Sequence, residues 1–354
     1  MSTADSVTLS AIQLTSFTTS LFAAAGVPDD EATQIAESLV GSNLCGHESH
    51  GVVRVMEYVE LLQRGELQAS VPLDVLTETP AIVACDGNFG FGQVQMRRLI
   101  DRVVPKAREL GVATGTLRNC GHVGRLAEWV EEIAVQGLAG LLTVNDNGVL
   151  KCVAPPGGAE PCISTNPIAV SAPLADEPIV VDASTSVVAN GKIRVAQLAG
   201  QDVPDGWLLD ANGQPTNNPN TRFADPSGSI LPMGGYKGFG LGLLFDMLVG
   251  GLSGGHCPPA PDGTAECNNV LLVVFDPERF SGLSAFRSES QQLADFARNS
   301  RRQDDVTSIR LPGDRSRDLR NERQASGVPI DAGTWSELKR LATQLAVSVP
   351  VCDD

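Results

Sequence analysis

The residues best suited to chemistry lie in one short polar stretch, Gly46 to Tyr58, which reads Gly-His-Glu-Ser-His-Gly-Val-Val-Arg-Val-Met-Glu-Tyr. At about 3.6 residues per turn, a helix here would separate an apolar sector from a polar face. Imidazole exchanges protons near neutrality, and a guanidinium can bind a carboxylate through two parallel hydrogen bonds. The stretch therefore predicts a site that binds an anion and moves a proton, while a solvated surface helix is the alternative. The polar face would carry His47, His50, Arg54 and Tyr58.

Three further segments place polar side chains next to predicted strands. His122 lies between Gly121 and Val123-Gly124, where glycine allows a sharp turn, so its imidazole could project from a strand end. A structural histidine is the alternative. Asn145-Asp146-Asn147 and Thr165-Asn166-Pro167 place amides and a carboxylate where strands are expected to end. Ligand sites gather at such ends, although turn-forming residues have the same composition.

Two later segments could bind an anion. Asp182-Ala183-Ser184-Thr185-Ser186 offers a carboxylate and three hydroxyls after an apolar strand, and such a run can fix a ribose or seat a phosphate. Gly234-Gly235-Tyr236-Lys237-Gly238 places Lys237 at the predicted start of a helix. Because a helix N-terminus is partly positive, a lysine there is unfavourable unless an anion joins it. This second segment therefore predicts an anion-binding helix start.

The elements that must position these residues alternate between strands and helices. The glycine spacing of residues 87–92 is G-x-x-G-x-G, not the dinucleotide fingerprint G-x-G-x-x-G, so we expect a turn before a helix here. Residues 234–255 read as a glycine-punctuated buried helix, and Asp246 within it excludes a membrane span. Periodicity and turn residues predict helices at 9–25, 29–44, 46–58, 93–110, 125–136, 191–198, 234–255 and 332–347, and strands at 75–85, 112–117, 140–144, 167–170, 178–181 and 269–275.

Composition excludes several classes of partner. The 354 residues carry a formal net charge of −16, which argues against nucleic acid or an anionic membrane as a partner, since both require a cationic surface.

The length of the chain predicts two subdomains or an elaborated α/β unit. No Lys or Arg precedes the apolar stretch that ends at Ala25, so we expect no secretory signal and a cytoplasmic protein. The cysteines form no CxxC pair, as expected for free thiols in a reducing compartment; they are Cys45, Cys85, Cys120, Cys152, Cys162, Cys257, Cys267 and Cys352.

The motifs, taken in order, resemble a known family. They are His-x-Ser-His-Gly-Val-x-Arg at 47–54, the His-x-Gly turn at 122–124, Ser-Thr-Asn-Pro-Ile-Ala at 164–169, Val-Asp-x-Ser-Thr-Ser at 181–186, Gly-Lys-Ile at 191–193, Pro-Asp-Gly-Trp at 204–207, Gly-Gly-Tyr-Lys-Gly-Phe-Gly-Leu at 234–241 and Leu-Pro-Gly-Asp at 311–314. Over nearly its whole length the chain is similar to the malate/L-lactate/sulfolactate dehydrogenase-type family of NAD(P)-dependent oxidoreductases. That family includes ureidoglycolate dehydrogenase, diketogulonate reductase and cyclic-imine reductases.

The resemblance implies an α/β (α+β) fold outside the Rossmann class, which would explain the missing fingerprint. The cofactor domain would contain a largely antiparallel sheet, and a helical domain would form from both termini. We accordingly place the helical domain at residues 1–75 and 287–354 and the central cofactor- and substrate-binding region at residues 76–286. The resemblance also implies a homodimer.

The resemblance further implies roles for individual residues. His50 or His122 would donate or accept the proton; we favour His50 because Arg54, which would pair with the substrate carboxylate, lies in the same stretch, but the sequence does not order the two. Ser49 is assigned to the catalytic group, and His47 supports it. Substrate binding is assigned to Arg54, Tyr58, Thr165 and Asn166, and no metal ligand is expected. The residues implied to line the cofactor, NAD or NADP with NAD favoured, are Asp146, Asp182, Ala183, Ser184, Lys237, Gly238, Pro312 and Gly313.

Four positions depart from the commoner pattern of the family. Cys45 stands where arginine is frequent, and Gly121 where asparagine often precedes the histidine. Pro156 stands where an aromatic residue precedes Gly-Gly, and Asn190 where arginine often precedes Gly-Lys. These departures leave hydride chemistry intact and the substrate open.

Our hypothesis is reversible hydride transfer between a nicotinamide and C2 of a small 2-hydroxy or 2-oxo acid, similar to malate or lactate. Reduction of a cyclic imine or a diketo acid is the alternative within the family. A metal-dependent hydrolase or lyase is the alternative of another class, since histidines at spacing i,i+3, His47 and His50, can share a metal with His122 or His256. A third alternative is a non-enzymatic protein that has lost its catalytic activity.

Overall fold

The structure is a computed structural model that describes residues 7–198 and 200–351. This part of the chain contains ten α-helices and twelve β-strands. Cys352 lies outside the described residues. The helices are α1 (Ala11–Ala24), α2 (Asp29–Leu44), α3 (Val55–Arg64), α4 (Gly92–Leu110), α5 (Leu126–Val135), α6 (Asn190–Leu198), α7 (Tyr236–Ser253), α8 (Leu283–Arg298), α9 (Asp314–Ser326) and α10 (Ala332–Gln344). The strands are β1 (Val7–Leu9), β2 (Asp74–Glu78), β3 (Ile82–Gly90), β4 (Val112–Cys120), β5 (Ala139–Asn145), β6 (Ile168–Ala172), β7 (Ile179–Ala183), β8 (Leu208–Leu209), β9 (Pro215–Thr216), β10 (Ser229–Ile230), β11 (Asn268–Phe275) and β12 (Val328–Ile330).

A seven-stranded sheet lies at the centre of the fold, in the order β2-β3-β4-β11-β5-β6-β7. Within it β3 and β4 are parallel, and every other pair of neighbours is antiparallel. Strand β11 is central because the chain returns late to pair with both β4 and β5. This mostly antiparallel sheet confirms the predicted fold outside the Rossmann class.

Side chains alternate across this sheet, so its two faces meet different helices. In β11, Val270, Leu272 and Val274 belong to the core that also contains apolar residues of α4 and α5. Asn269 points to the opposite face, where it bonds to Asn145 of β5 near α7. The sheet therefore lies between α4 and α5 on one side and α7 on the other.

Both ends of the chain form a helical layer with its own core. Its buried apolar residues come from residues 9–94 and 328–342. Strands β1 and β12 pair in antiparallel fashion, with Val7 opposite Ile330, and Phe17 of α1 contacts Trp335 of α10 edge to face at 5.7 Å. The predicted helical domain made from both termini is thus confirmed, while the boundaries at residues 75 and 287 stay a proposal.

The opening polar stretch is not one helix, so that prediction was wrong. It forms two 3-10 turns, Glu48–His50 and Val52–Arg54, and α3 begins only at Val55. The cause lies in the preceding helix: Asn43 Oδ1 accepts the N–H of Val52 at 2.8 Å. Between the turns, Gly51 has an extended backbone with φ −93° and ψ −154°, outside the helical region.

The apolar sector of this stretch nevertheless packs as predicted. Val52, Val55 and Val59 are buried in the helical core. Tyr58, expected on the polar face, is also buried and contacts Phe22 and Phe91. The chemistry-bearing residues are therefore held by a loop between two well-packed helices.

Helix α7 is not the buried helix that its apolar sequence predicted. Its small residues face the interior: a Cβ on Gly238 would overlap the carbonyls of Met233 and Thr185, and one on Gly250 would overlap that of His256. Close backbone packing on that side turns the large side chains outward. The exposed apolar residues at and along α7 are Met233, Tyr236, Leu241, Leu244, Met247, Leu248 and Leu252.

The strand predicted at residues 75–85 is also corrected. It is a pair of antiparallel strands, β2 and β3, in which Thr79 N–H bonds to the carbonyl of Ile82 at the turn. The glycine-rich residues 87–90 close β3 and lead into α4, as a turn before a helix requires. Among the residues described, no helix is both long and apolar enough to cross a membrane.

We predict that Gly51→Ala destabilises the protein. The new Cβ would overlap the Asn43 side-chain amide, and overpacking of this kind costs about 1–3 kcal/mol. The free energy of unfolding in urea measures the effect. Gly41→Ala in α2 is the control, because no atom lies within 4 Å of its Cβ and alanine is favoured over glycine in a helix by about 0.5–1 kcal/mol. An equal loss in both variants would contradict the role given to Gly51.

Candidate active site

Two imidazoles from distant parts of the chain stack on each other. The rings of His50 and His122 have centroids 5.3 Å apart and planes inclined by 29°. His50 closes the first 3-10 turn, and His122 follows β4. The loop of His122 is fixed on both sides, since Gly121 N–H bonds to the Gly90 carbonyl at 2.8 Å and Val123 N–H bonds to Asn268 Oδ1 at 3.1 Å.

The Nδ1 atom of each ring has a hydroxyl partner. His50 Nδ1 lies 3.0 Å from Ser49 Oγ, and His122 Nδ1 lies 2.7 Å from the Tyr58 hydroxyl. Gln93 Nε2 donates to the same hydroxyl at 3.1 Å, which leaves the Tyr58 hydrogen free to bond to His122 Nδ1. A neutral His122 then carries its proton on Nε2. Among the described residues neither Nε2 atom has a hydrogen-bond partner, so both remain for a ligand.

Burial keeps the two rings neutral. Desolvation, together with the positive charge of Arg54, lowers the pKa of His50 to about 3 and lowers the pKa of His122 well below its ordinary value. Burial also raises the pKa of Tyr58, so its hydroxyl keeps its proton and remains a donor.

Arg54 lies beside this pair with part of its guanidinium engaged. Its Nε donates to the Ser49 carbonyl at 2.8 Å, and its Nη1 donates to Glu57 Oε2 at 2.6 Å. Within residues 7–198 and 200–351, no protein acceptor bonds to Nη2. One end of the guanidinium can therefore receive a ligand carboxylate.

Asparagines and carboxyl groups join β5, β11 and α7 into a buried polar network. Asp246 of α7 accepts hydrogen bonds from Asn145 and Asn166, and Asn269 donates to Asn145 at 2.9 Å. Asn166 Nδ2 also donates to the Gly242 carbonyl at 2.9 Å. The Asn166 Nδ2 group thus binds α7 through two hydrogen bonds. Among the described residues, Asn166 Oδ1 is buried without a partner, and this atom is left for a ligand.

Asp146 is the second residue of this region with a buried, unpartnered oxygen, Oδ1. Burial, together with the negative charges of Glu266 and Asp246, raises its pKa to about 9. Asp146 is therefore a neutral acid at pH 7 and can donate a hydrogen bond.

The Thr165 carbonyl accepts hydrogen bonds from the hydroxyls of Ser184 and Thr185 at 3.1 and 2.9 Å.

A separate cavity of about 230 Å³ lies next to His47. Its walls include the start of α5, where Asp182 Oδ2 accepts the N–H of Ala127 at 2.8 Å. Arg125 is buried there, paired with Glu131 through two bonds of 3.2 and 3.0 Å, and its Nε has no partner. The other lining residues are Val180, Val181, Pro312, Gly313 and Ser316.

The residues predicted to bind the cofactor thus lie in different parts of the structure. Asp182, Pro312 and Gly313 line the cavity, while Ala183 pairs with Ile168 in the sheet. Lys237 is exposed at the start of α7, and Gly238 packs on the Thr185 carbonyl in the loop that contains Ser184. Asp146 belongs to the polar network.

Sequence reasoning missed several residues of the site. Gln93 and Arg125 each begin a helix next to a glycine turn, and a polar residue at such a place was a usable signal. Asp246 was noticed only as a charge in an apolar helix, although a lone carboxylate there already indicated a buried partner. Glu57 gave no signal, because an acidic residue on an exposed helix face is ordinary.

The metal-dependent alternative finds no ligand set in the described part of the chain. No three His, Cys, Asp or Glu side chains gather there closely enough to hold a metal ion. His47 Nε2 lies 3.3 Å from Ser316 Oγ, and His50 stacks on His122. The two histidines of the i,i+3 pair therefore have different neighbours.

Comparison with known proteins gives a consistent result. Residues 9–339 match the family model described as malate/L-lactate dehydrogenase. Hydroxycarboxylate dehydrogenase B of Escherichia coli is 34% identical, over 94% of this chain and 93% of the relative. The Δ1-pyrroline-2-carboxylate/Δ1-piperideine-2-carboxylate reductase of Pseudomonas putida is 31% identical, over 93% and 95%. A solved putative malate/lactate dehydrogenase from E. coli superposes with a TM-score of 0.90 at 34% identity, covering 96% of both chains.

We predict that His50 takes up no proton between pH 7 and pH 5, because its pKa is about 3, and that His122 titrates well below the ordinary range of a histidine. In that range the unfolded chain, whose histidines titrate near 6.5, binds protons that the folded chain does not, so stability falls as the pH drops below about 6.5. Imidazole 15N NMR and unfolding in urea measure the two effects. Tyr58→Phe should leave His50 unchanged and give His122 a mixture of tautomers. Titration of either ring above pH 6 would contradict the prediction.

Proposed function

The chain belongs to the malate/L-lactate dehydrogenase family, and from this premise we propose how its own residues carry out the reaction. It is an oxidoreductase that transfers a hydride between a nicotinamide cofactor and a small 2-hydroxy or 2-oxo acid. The observation that carries our assignment of residues is the stacked pair of His50 and His122 beside Arg54. A proton-transfer group and a carboxylate-binding group are what reduction of a 2-oxo acid requires.

The cavity next to His47 is the part of the site that we assign to the cofactor. The carboxylate of Asp182, which lines this cavity, favours the hydroxyls of a ribose. At about 230 Å³ it is smaller than the roughly 300–1,000 Å³ of whole-ligand pockets, so it would hold one part of a dinucleotide. Ser184, Lys237, Gly238 and Asp146 would hold the remainder. When bound, the nicotinamide supplies or accepts the hydride.

We propose NAD as the preferred cofactor. Asp182 uses one oxygen on Ala127 and keeps the other for a ribose hydroxyl. Glu131 adds a second carboxylate to the same cavity and already neutralises Arg125. An additional phosphate on the ribose would therefore meet the negative charge of Asp182 and Glu131.

Arg54 would bind the substrate carboxylate through the end of its guanidinium that includes Nη2. This binding has a consequence for the histidines. Because the charge of Arg54 lowers the pKa of His50 and His122, an anion that neutralises it raises both values towards neutrality. The site would become able to exchange a proton when its substrate arrives.

We assign the proton transfer to His122, which reverses the preference that the sequence suggested. The Tyr58 hydroxyl holds His122 in the tautomer that carries its proton on Nε2, ready to be donated to a carbonyl oxygen during reduction. His50 and Ser49 would position that ring and the substrate. Tyr58, being buried, acts on His122 and not on the substrate. Thr165 and Asn166 Oδ1 remain proposed substrate contacts.

A homodimer would cover the exposed apolar side of α7. Residues at helical spacing on one face, Leu241, Leu244, Leu248 and Leu252, are all between 44% and 59% exposed. A contiguous apolar face of this kind is typical of an interface, and a second copy of the chain is the partner that we propose.

The seven described cysteines are free, and the cytoplasmic location stays a prediction.

The proposed reaction is tested with a panel of 2-oxo acids and cyclic imines, scored by oxidation of NADH and of NADPH. We expect turnover of at least one compound, with NADH preferred. His122→Ala should lower kcat by about 10²–10⁴-fold, as loss of a general acid does, with a smaller loss in His50→Ala and little change in NADH affinity in either. Near-normal turnover in His122→Ala would refute the assignment, and no turnover across the panel would refute the function.

The dimer is tested by Leu244→Glu, which places a charge in the middle of the apolar face of α7. We expect analytical ultracentrifugation to find a dimer for the unmodified protein and a shift towards monomer for this variant. Ile12→Glu is the control, because Ile12 is 83% exposed on α1 and stands apart from that face. A monomeric unmodified protein, or equal behaviour of both variants, would contradict the proposal.

A further inference from the structure

The guanidinium assigned to the substrate carboxylate already has an anionic neighbour. Arg54 and Glu57 form an ion pair at 2.6 Å between residues three apart, and the side chains are 28% and 49% exposed. An exposed pair of this spacing contributes little to stability. Its main consequence is electrostatic, because it places a carboxylate beside the guanidinium that we assign to the substrate.

A second carboxylate, that of Glu266 on another element, interacts electrostatically with the same pair. Glu266 precedes β11 in a loop that is bound to its surroundings, since Asn147 Nδ2 donates to the Ala265 carbonyl at 3.2 Å and Asn268 bonds to the residue after His122. Desolvation raises the pKa of Glu266, the charge of Glu57 raises it further, and Arg54 lowers it. Glu57, Glu266 and Arg54 therefore act on one another across a single region.

The electrostatic interactions of these three side chains would differ between the two ends of a substrate. The C1 carboxylate can share Arg54 with Glu57, because the guanidinium has several donors. A second carboxylate on the same small molecule would have no further share of the Arg54 charge and would add negative charge to a region that already holds Glu57 and Glu266. A neutral or cationic far end would meet no such repulsion.

We propose that Glu57, assisted by Glu266, selects substrates by the charge of their far end. The site takes 2-oxo acids or cyclic imines whose far end is neutral or cationic, and it disfavours dicarboxylates. This inference rests on the proposed function, in which Arg54 binds the substrate carboxylate. It separates two classes of substrate that the family as a whole includes, since relatives named for malate and for a cyclic imine carboxylate are both similar to this chain.

The test compares two substrates of equal chain length, 2-oxobutyrate, which ends in a methyl group, and oxaloacetate, which ends in a carboxylate. The unmodified enzyme should have the higher kcat/KM for 2-oxobutyrate. Glu57→Gln should shift the ratio of the two kcat/KM values towards oxaloacetate by about tenfold, an effect expected when one charge is removed from a partly exposed site. The shift should arise mainly from a lower KM for oxaloacetate, and Glu57→Gln combined with Glu266→Gln should enlarge it.

Glu60→Gln is the matched control, because Glu60 is exposed on the same helix, one turn further on, and the variant changes net charge equally. Its ratio should equal that of the unmodified enzyme. An unchanged ratio in both Glu57 variants, an equal loss on both substrates, or a preference of the unmodified enzyme for oxaloacetate would overturn the inference and leave the proposed function standing. Absence of turnover with every 2-oxo acid and imine would overturn both.

Discussion

The site depends on the desolvation of two imidazoles beside one guanidinium. Water would hold His50 and His122 near their ordinary protonation, whereas burial keeps them neutral, and Arg54 acts in the same direction. Protonation of either ring would place a second positive charge beside Arg54, whose guanidinium is already paired with Glu57. An anionic ligand bound to Arg54 would weaken that repulsion further and so affect the protonation of the groups that act on it.

This constraint explains why the site lies where two layers meet. His50 and Arg54 belong to the helical layer, and His122 belongs to a loop of the sheet. The hydrogen bond from Tyr58 to His122 crosses the same boundary, so one contact both joins the layers and selects the tautomer.

The sequence predicted the parts of this arrangement that depend on local pattern or on resemblance, and it missed those set by contacts between distant residues. The antiparallel sheet, the helices from both termini and the approximate bounds of α4 and α5 were predicted. The opening stretch was read as one helix because periodicity does not reveal that Asn43, from another helix, captures the Val52 N–H. Tyr58 was placed on a polar face because its partner His122 is remote in sequence. Helix α7 was predicted to be buried because apolar composition does not distinguish a core from an uncovered face.

The pairing of β1 with β12 has a consequence for how the protein is made. The first helices are synthesised early, but Val328, Ile330, Trp335 and Leu338, which complete their core, are synthesised much later. Until then α1, α2 and α3 expose apolar surface that β12 and α10 cover in the folded protein, a state open to aggregation and to binding by chaperones. The central sheet does not depend on β12, but it requires β11, whose first residue, Asn268, also fixes the loop of His122. During synthesis the half of the site that carries His122 can therefore take shape once β11 is made, before the half that carries His50 and Arg54 is complete.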